Sequence, residues 1–458
     1  MGERILTLAL VNLASVMERA DEALLPGVYD QLGLAFGVSP AALGMLSFIR
    51  SLVQALASPL AAYLALTHDR VHIIAMGALC WAVGTAAVGI STAYWQAAIC
   101  KAVTGLGLAV VVPAIQSVVA DLYTKDERGL GFGWLHAAGQ LGTVMGGVFA
   151  TTMAARVIFG MAGWRAAFLA VAAVSLFLSF ALYKFAKDFR FLAKQSSESE
   201  EPLIKSEQSS SSNIRELWKE TYDVLKLRTF KVIVAQGVVG QIPWNAMTFF
   251  TLWLLLMGFT HGEAALLVAL LSVGNMFGSI FGGWIGDWAS KRHPNTGRII
   301  CSQFSAGVGI PLSAVLLLAL PQDSRYGWTY GVTLFCMGFF MSWNSPATNW
   351  PIFAEIVPFK LHTTVYSIDM TIEKSLAAAA SPMVGYLAQQ FFGYTASSAQ
   401  SGPFLPDLTN ATAVAHGLFV LIAVPFCLCL TIVNLLYFTY PEDRDRVKGD
   451  KGDVHSPV

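Results

Sequence analysis

An all-α integral membrane protein is what these 458 residues specify. Hydrophobic residues make up 55% of the chain and charged residues only 13%, where a soluble domain carries about a quarter charged. Mean hydropathy is +0.58. Apolar runs of about 20 residues, long enough to cross a hydrocarbon core, recur along almost the whole length. Formal net charge is zero, so nothing general favours a nucleic-acid partner. The six cysteines all fall inside apolar runs. They form neither a disulfide framework nor a metal-ligand spacing, and no metal or other cofactor is expected. The first apolar run is too long and too charged for a cleavable signal and reads as the first span.

Twelve transmembrane helices are expected, at 5–32, 40–66, 72–91, 95–120, 129–153, 164–186, 229–257, 263–286, 298–320, 327–353, 362–391 and 412–439. Gly, Pro, Ser, Asp and His punctuate the short connections. One long polar segment interrupts the series. Its "KQSSESEEPLIKSEQSSSSN" is Ser/Glu-rich and reads as disordered. The following "IRELWKETYDVLKL" has helical apolar spacing and reads as an amphipathic helix on the membrane surface. The expected organisation is an N-terminal six-helix bundle (1–186), a cytosolic linker (187–228), a C-terminal six-helix bundle (229–440) and a cytosolic tail (441–458). Lys and Arg concentrate in the linker, in "SKRHPNTGR" and in the tail, which places both termini in the cytosol. The sequon at Asn410 then falls in a non-cytosolic loop and is a glycosylation candidate. The halves echo each other. "THDRVH" parallels "IGDWASKR", and "ADLYTKDERG" parallels "AEIVPFKLHT", which suggests a duplicated, pseudo-symmetric six-helix unit.

With these motifs the chain resembles the major facilitator superfamily over essentially its full length. That family's cytosolic loop signature, G-x-x-x-D-(R/K)-x-G-(R/K)-(R/K), is matched by Gly283, Asp287, Lys291 and Arg292 in "GWIGDWASKR". The first half keeps Asp69 and Arg70 of it. "CKAVTGLGLAVVVPAIQSVVADLYTKDERG" resembles the fourth-span signature, with Lys101 where Arg is usual, and "GQLGTVMGG" resembles the glycine-rich fifth span. The first span is similar to spinster-type proteins, which are associated with export of lysolipids and sphingolipids; Leu108 stands where their fourth spans often carry an acidic residue. The chain also looks similar to plant-type members of the superfamily. The resemblance implies the major facilitator fold, with spans one, four, seven and ten around a central cavity.

The stretch "VMERADEALLPG" puts Glu18, Arg19, Asp21 and Glu22 inside the first span. At ~1.5 Å per residue, Glu18 lies about 21 Å along the axis from Arg4. Each unpaired charge at that depth costs about 2.5–3.5 kcal/mol, so four of them cannot face lipid. Asn12, Ser15, Glu18, Arg19 and Glu22 share one broad face, with Asp21 at its edge. Arg19 and Glu22, three apart, are placed to pair. Carboxyls this close and this far from water can alternate between protonated and ionised forms, which is what proton coupling requires. Pro26 and Gly27 follow and give the helix a place to bend. A structural ion-pair network between helices is the alternative.

Other spans carry further candidates. Arg50 is placed either to neutralise the first-span carboxylates or to bind an anionic head, and Lys101 either to touch a ligand or to snorkel toward water. Tyr366, Asp369 and Glu373 share a face of the eleventh span, while Lys374 points elsewhere; a structural tie to the second span is the alternative for Glu373. Trp244-Asn245 and Trp343-Asn344, beside Pro243 and Pro346, can contact the apolar body and polar head of a solute. They can equally pack helices, with Asn bonding a carbonyl freed by Pro. His136 and Gln140 share a face of the fifth span, His136 by itself reading as a packing residue. Gly274, Gly278 and Gly282 read as a close helix contact. Asp69, Arg70, Asp121, Arg128, Asp287, Lys291, Arg292 and Glu355 sit at expected cytosolic helix ends. They read as a solvated face or, as the resemblance implies, as gating pairs that hold an outward-open state.

The expected activity is secondary active transport by alternating access, proton-coupled and of the symport kind. The substrate would be a small charged or zwitterionic organic solute, lysolipid-like amphiphiles included. Partners would be that solute, protons and the bilayer, with the chain acting as a monomer. A facilitative uniporter and a non-transporting sensor or scaffold are the rivals. No His-Glu-x-x-His, nucleophile elbow or nucleotide-binding P-loop supports an enzyme. "SEEPLI" is dileucine-like, with Ser199 in the acidic place, so endosomal, lysosomal or vacuolar membranes stand beside the plasma membrane.

Overall fold

The computed structural model describes residues 2–38, 40–154, 156–158, 160–189, 222–358, 361–377, 380–394 and 407–452. The "SEEPLI" stretch, Ser199, most of the expected amphipathic helix and the end of the tail lie outside the described residues. What is described is almost entirely helical, apart from a two-residue antiparallel pairing of Val157–Ile158 with Met161–Ala162.

The N-terminal half comprises α1 (Gly2–Gly27), α2 (Tyr29–Phe36), α3 (Pro40–Ala57), α4 (Pro59–Thr67), α5 (Arg70–Ile90), α6 (Tyr94–Leu122), α7 (Arg128–Ala154) and α8 (Gly163–Phe185). The C-terminal half comprises α9 (Arg228–Ala246), α10 (Phe250–Leu256), α11 (His261–Arg292), α12 (Gly297–Ala314), α13 (Gly327–Met341), α14 (Trp350–Ile356), α15 (His362–Ala377), α16 (Ala380–Phe391), α17 (Leu408–Val433) and α18 (Leu436–Gly452).

The breaks have local causes. Pro59 opens α4, in the first turn where its missing N–H leaves no helix hydrogen bond unmade. Asp69 caps α5 by accepting from the backbone amides of Val71 and His72. Pro243 lies just before the 3-10 turn Met247–Phe249 that separates α9 from α10. Pro311 precedes a π turn at Val315–Ala319, and Pro346 lies inside another at Ser345–Asn349; π turns of this kind are frequent at functional sites. Thr260 and Glu263 form a reciprocal capping box that starts α11.

Among the described residues, seven helical segments are long and apolar enough to cross a membrane: Met45–Ala65, Arg70–Ile90, Tyr94–Leu122, Gly163–Phe185, Gly262–Arg292, Gly297–Ala319 and Leu408–Val433. Large apolar side chains are exposed all around, Leu56, Phe177, Trp328 and Phe438 among them. A water-soluble surface does not carry apolar area on this scale; hydrocarbon accepts it. Helices and a surface of this kind are those of an integral membrane protein.

Packing is tightest where glycines remove side chains. On α11, a Cβ at Gly274 would strike the carbonyl of Phe335, one at Gly278 the carbonyl of Phe339, and one at Gly282 the body of Trp343. This stripe seats α13 against α11, as the spacing predicts. Gly129 at the start of α7 and Gly283 on α11 face each other so closely that a Cβ on either would meet the other's helix.

Candidate functional site

The first-helix charges do not share one environment. Arg19 reaches Glu18 at 3.2 Å and Glu22 at 2.9 Å, and both Arg19 and Glu22 are about two-fifths exposed. Arg50, itself buried, hydrogen-bonds the other oxygen of Glu22. Glu18 is closed off beneath Arg19. Asp21 turns into the N-terminal half, where it accepts a 2.5 Å bond from the Thr85 hydroxyl and stands 3.8 Å from the Lys101 ammonium. Lys101 is 1% exposed and also lies over the Phe168 ring. It neither snorkels nor faces a ligand. The Asp21–Lys101 pair is a buried internal tie, separate from the open part of the cluster.

A cavity of about 200 Å³ lies between the halves. Arg19, His136 and Gln140 line it from the N-terminal half. Gln236, Gln241, Trp244, Asn275, Asn344, Asn349 and Glu373 line it from the other. His136 and Gln140 are 3.3 Å apart, nitrogen to nitrogen. Glu373 lies within hydrogen-bonding reach of Asp369 on its own helix and of Gln241 on α9. Gly237 makes this possible: a Cβ there would fall on the Glu373 carboxyl. Lys374 interacts with Arg19, Glu18 and Glu22 on α1 and Arg50 on α3, and also with Glu373.

A second charged assembly closes one end of the molecule. Arg70, at the start of α5, bonds Asp188 through Nε (2.8 Å) and Nη2 (2.7 Å), bonds Ser117 (2.6 Å), and pairs with Asp121 at the end of α6. Arg298, at the start of α12, bonds Asp287 (3.0 Å), Glu355 at the end of α14 (3.2 Å) and the Ala347 carbonyl (3.0 Å). The two arginines thus do the same job at matching places in the two halves. Bonds then cross between halves. Asp287 accepts from the Gly129 (3.0 Å) and Leu130 (2.8 Å) amides at the start of α7. Arg128 donates to the Ala354 carbonyl (3.2 Å), and His362 meets Asp121 at 2.8 Å. Ser367 donates to the Ser58 carbonyl. A carboxylate on the N-terminal amides of a helix is favoured by the helix dipole as well as by the bonds. A recess of about 390 Å³ opens here too, lined by Lys125, Lys291, Arg298 and Arg444 with Asp287 and Glu355. It is larger than the central cavity, but the two carboxylates are already held by Arg298 and the interhelix bonds, so it belongs to the clamp.

Several expected residues are placed otherwise. Asn245 donates to the Ala377 carbonyl (2.8 Å), a helix tie. Trp343 is buried in an aromatic group with Phe281, Phe304 and Phe340, off the cavity. Its neighbour Asn344 does reach the cavity and accepts from Ser302 (2.5 Å). Asp69 caps a helix and makes no link between halves among the described residues. Burial, then repulsion from Asp188, raises its pKa above the ordinary value. Lys291 and Arg292 are exposed, and no ion pair involves them among the described residues. Asn410 is buried in the first turn of α17, and its side-chain nitrogen, the atom a glycan would occupy, donates to Asp407 at 2.7 Å. Residues that sequence reasoning missed include Arg298, Asp188 and His362 in the clamp, and Gln236, Gln241, Asn275 and Asn349 in the cavity.

A polar hollow between helical halves, clamped at one end by bonds that join them, is the anatomy of a membrane transporter. The Major Facilitator Superfamily profile matches residues 11–382, and the chain belongs to that family. Among solved structures it is similar to a bacterial homologue of the human lysosomal transporter Spinster. The inward-facing, unoccupied form shares 17% identity over 96% of this chain and 98% of that one, with a TM-score of 0.64. The inward-facing, occupied form shares 16% identity over 97% and 99%, with a TM-score of 0.61. It is also similar to the proton:xylose symporter XylE bound to 6-bromo-6-deoxy-D-glucose, at 16% identity over 92% and 95% with a TM-score of 0.63. No curated protein matches by sequence. Membership of that family indicates a transporter and not an enzyme.

Proposed function

We propose that the chain is a proton-coupled secondary transporter that moves a small charged or zwitterionic organic solute by alternating access. The observation that carries this is the central cavity, where Glu373 from one half faces Arg19 from the other. In this reading the helices form twelve crossings in two six-helix bundles, 1–186 and 229–440, joined by a cytosolic linker and followed by a cytosolic tail. The clamped end is the cytosolic gate, held shut around Asp287, Arg298, Arg128 and the Asp121–His362 contact. Rocking of one bundle against the other would break these bonds and open the cavity to the other side.

Glu373 and Asp369 supply the coupling. Two carboxyls within reach of each other, beside a cavity whose access alternates, can take a proton on one side and release it on the other. Glu18 is less suited to that role because Arg19 holds its carboxylate directly, at 3.2 Å. Trp244 offers an apolar wall, and the amides offer polar contacts.

The test is a ligand-stabilisation screen over lysolipids, organic acids, amines and sugars, followed by flux of the best ligand in proteoliposomes. Accumulation that depends on an imposed pH gradient supports the proposal. Equilibration unaffected by the gradient indicates a uniporter. No flux of any stabilising ligand indicates a sensor.

A further inference from the structure

The cavity's polar groups are unevenly matched. Arg19, the cation on its wall, is already held by Glu18 and Glu22. On the opposite wall the amide oxygens of Gln236 and Asn349, each in a side chain more than nine-tenths buried, find no partner among the described residues, while Asn275 lies within hydrogen-bonding reach of His136. Gln236 cannot simply present its nitrogen instead, because that nitrogen donates to the Cys429 sulfur at 3.3 Å. Buried acceptors without donors are costly, and a bound molecule that brings donors relieves the cost.

Charge gives the same answer. Arg19, Arg50, Lys101 and Lys374 are four cations, and Glu18, Asp21, Glu22, Asp369 and Glu373 are five carboxyls, in one connected region. One negative charge is left over. The three first-helix carboxyls have direct cation partners, so the excess falls on Asp369 and Glu373. A region out of water tends toward neutrality, and either a proton or an external cation supplies it.

We infer that the cavity receives the protonated amine end of a small organic solute, and that this ammonium and one proton displace each other at the Asp369–Glu373 pair. One proton leaves as one cation binds, so charge balances without a further reactant. The ammonium offers three donors to the acceptors Gln236, Asn349 and Glu373, with Trp244 beside it. The groups that face this pair are Lys374 and Tyr366 on its own helix, Cys429 on α17, and Arg19 and His136 across the cavity; Arg50 on α3 faces Lys374. The inference rests on the transport reading above and narrows its substrate class and its coupling to exchange.

The test uses the purified full chain in detergent with matched probes: benzylamine, benzyl alcohol and benzoate, and the same three head groups on phenethyl and phenylpropyl bodies. Binding is read by tryptophan fluorescence, and proton release by a pH dye in weak buffer. The amines are expected to bind at least tenfold more tightly than their alcohols. Their affinity should rise up to tenfold per pH unit, since one proton is displaced per cation, and about one proton should be released. Glu373→Gln should abolish the release and flatten the pH slope, while Gln236→Leu should weaken amine binding with the slope kept. Preference for the carboxylates, indifference to the head group, or no binding of any amine overturns the inference. Gradient-driven flux of an anion alongside that result would leave the transporter reading standing; amine binding without any flux would leave the inference standing and remove that reading.

Discussion

Replacing Asp287 with alanine should open the clamped end. Its carboxylate takes two bonds from the first turn of α7, Gly129 at 3.0 Å and Leu130 at 2.8 Å, and these cross between the halves. Hydrogen bonds to a charged group contribute about 1.5–3 kcal/mol each, so the pair favours the clamped arrangement by about 3–6 kcal/mol. The lost bond to Arg298 largely drops out of this difference, because both residues belong to the C-terminal half and move together. At 1.4 kcal/mol per decade, the clamped population should fall roughly 100-fold to 10,000-fold relative to the open one. Asp287→Asn keeps one acceptor oxygen without the charge and should give about half the effect in free energy. The assay is double electron–electron resonance between spin labels at the exposed positions Asp126 and His293, in a background whose cysteines have been replaced. A distance distribution unchanged by Asp287→Ala would refute the reasoning. A second perturbation acts from the other side: Gly129→Ala drives a Cβ into the Asp287 carboxyl and the Gly283 carbonyl, and should lengthen the same distance.

Other outcomes follow from the same geometry. Gly237→Ala should displace the Glu373 carboxyl and abolish gradient-driven uptake in proteoliposomes while the far-ultraviolet circular dichroism stays that of the parent. Asp21→Asn or Lys101→Met alone strands a buried charge and should cost about 3–5 kcal/mol; the double variant should recover most of this, as read by thermal unfolding in detergent. Asp69→Asn keeps the α5 cap but removes the cost of burying a carboxylate and, second to it, the repulsion from Asp188. Because the folded pKa of Asp69 is raised, its carboxylate weakens the fold as pH rises from the unfolded value through the folded one. The variant should therefore melt higher than the parent at pH 7, and that gain should vanish by about pH 3.5, below the ordinary aspartate value.

The membrane character was legible because hydropathy is additive along the chain: each of the seven crossing segments overlaps one expected span, with ends that differ by up to six residues. The glycine stripe of α11 was legible for a similar reason, since spacing alone aligns Gly274, Gly278 and Gly282. The pairing of Arg19 with Glu22, three residues on, is likewise local and was read directly. What sequence could not give was partnership across the fold. Arg298 reads as one more basic residue in a polar loop, yet it is 2% exposed and binds two carboxylates. Asp188 lies just past the sixth span, where a polar linker was expected to begin, but it is held by Arg70. Gln236, Gln241, Asn275 and Asn349 are neutral and unremarkable in a hydropathy reading, and only the meeting of α9, α11 and the π turn at Ser345–Asn349 makes them a cavity wall. The Trp-Asn pairs show the opposite failure. The motif looked like a binding element twice, and in each pair the helix rotation brings one member to the cavity and sends the other into packing.

The central claim is that Asp369 and Glu373 connect a proton to solute movement through the cavity. Its most direct measurement is uptake of the best stabilising solute into proteoliposomes carrying either the parent chain or the Asp369→Asn, Glu373→Gln double variant, each with and without a pH gradient. The account predicts gradient-dependent accumulation for the parent, and for the variant only slow equilibration that ignores the gradient. Undiminished gradient-driven accumulation by the variant would contradict it.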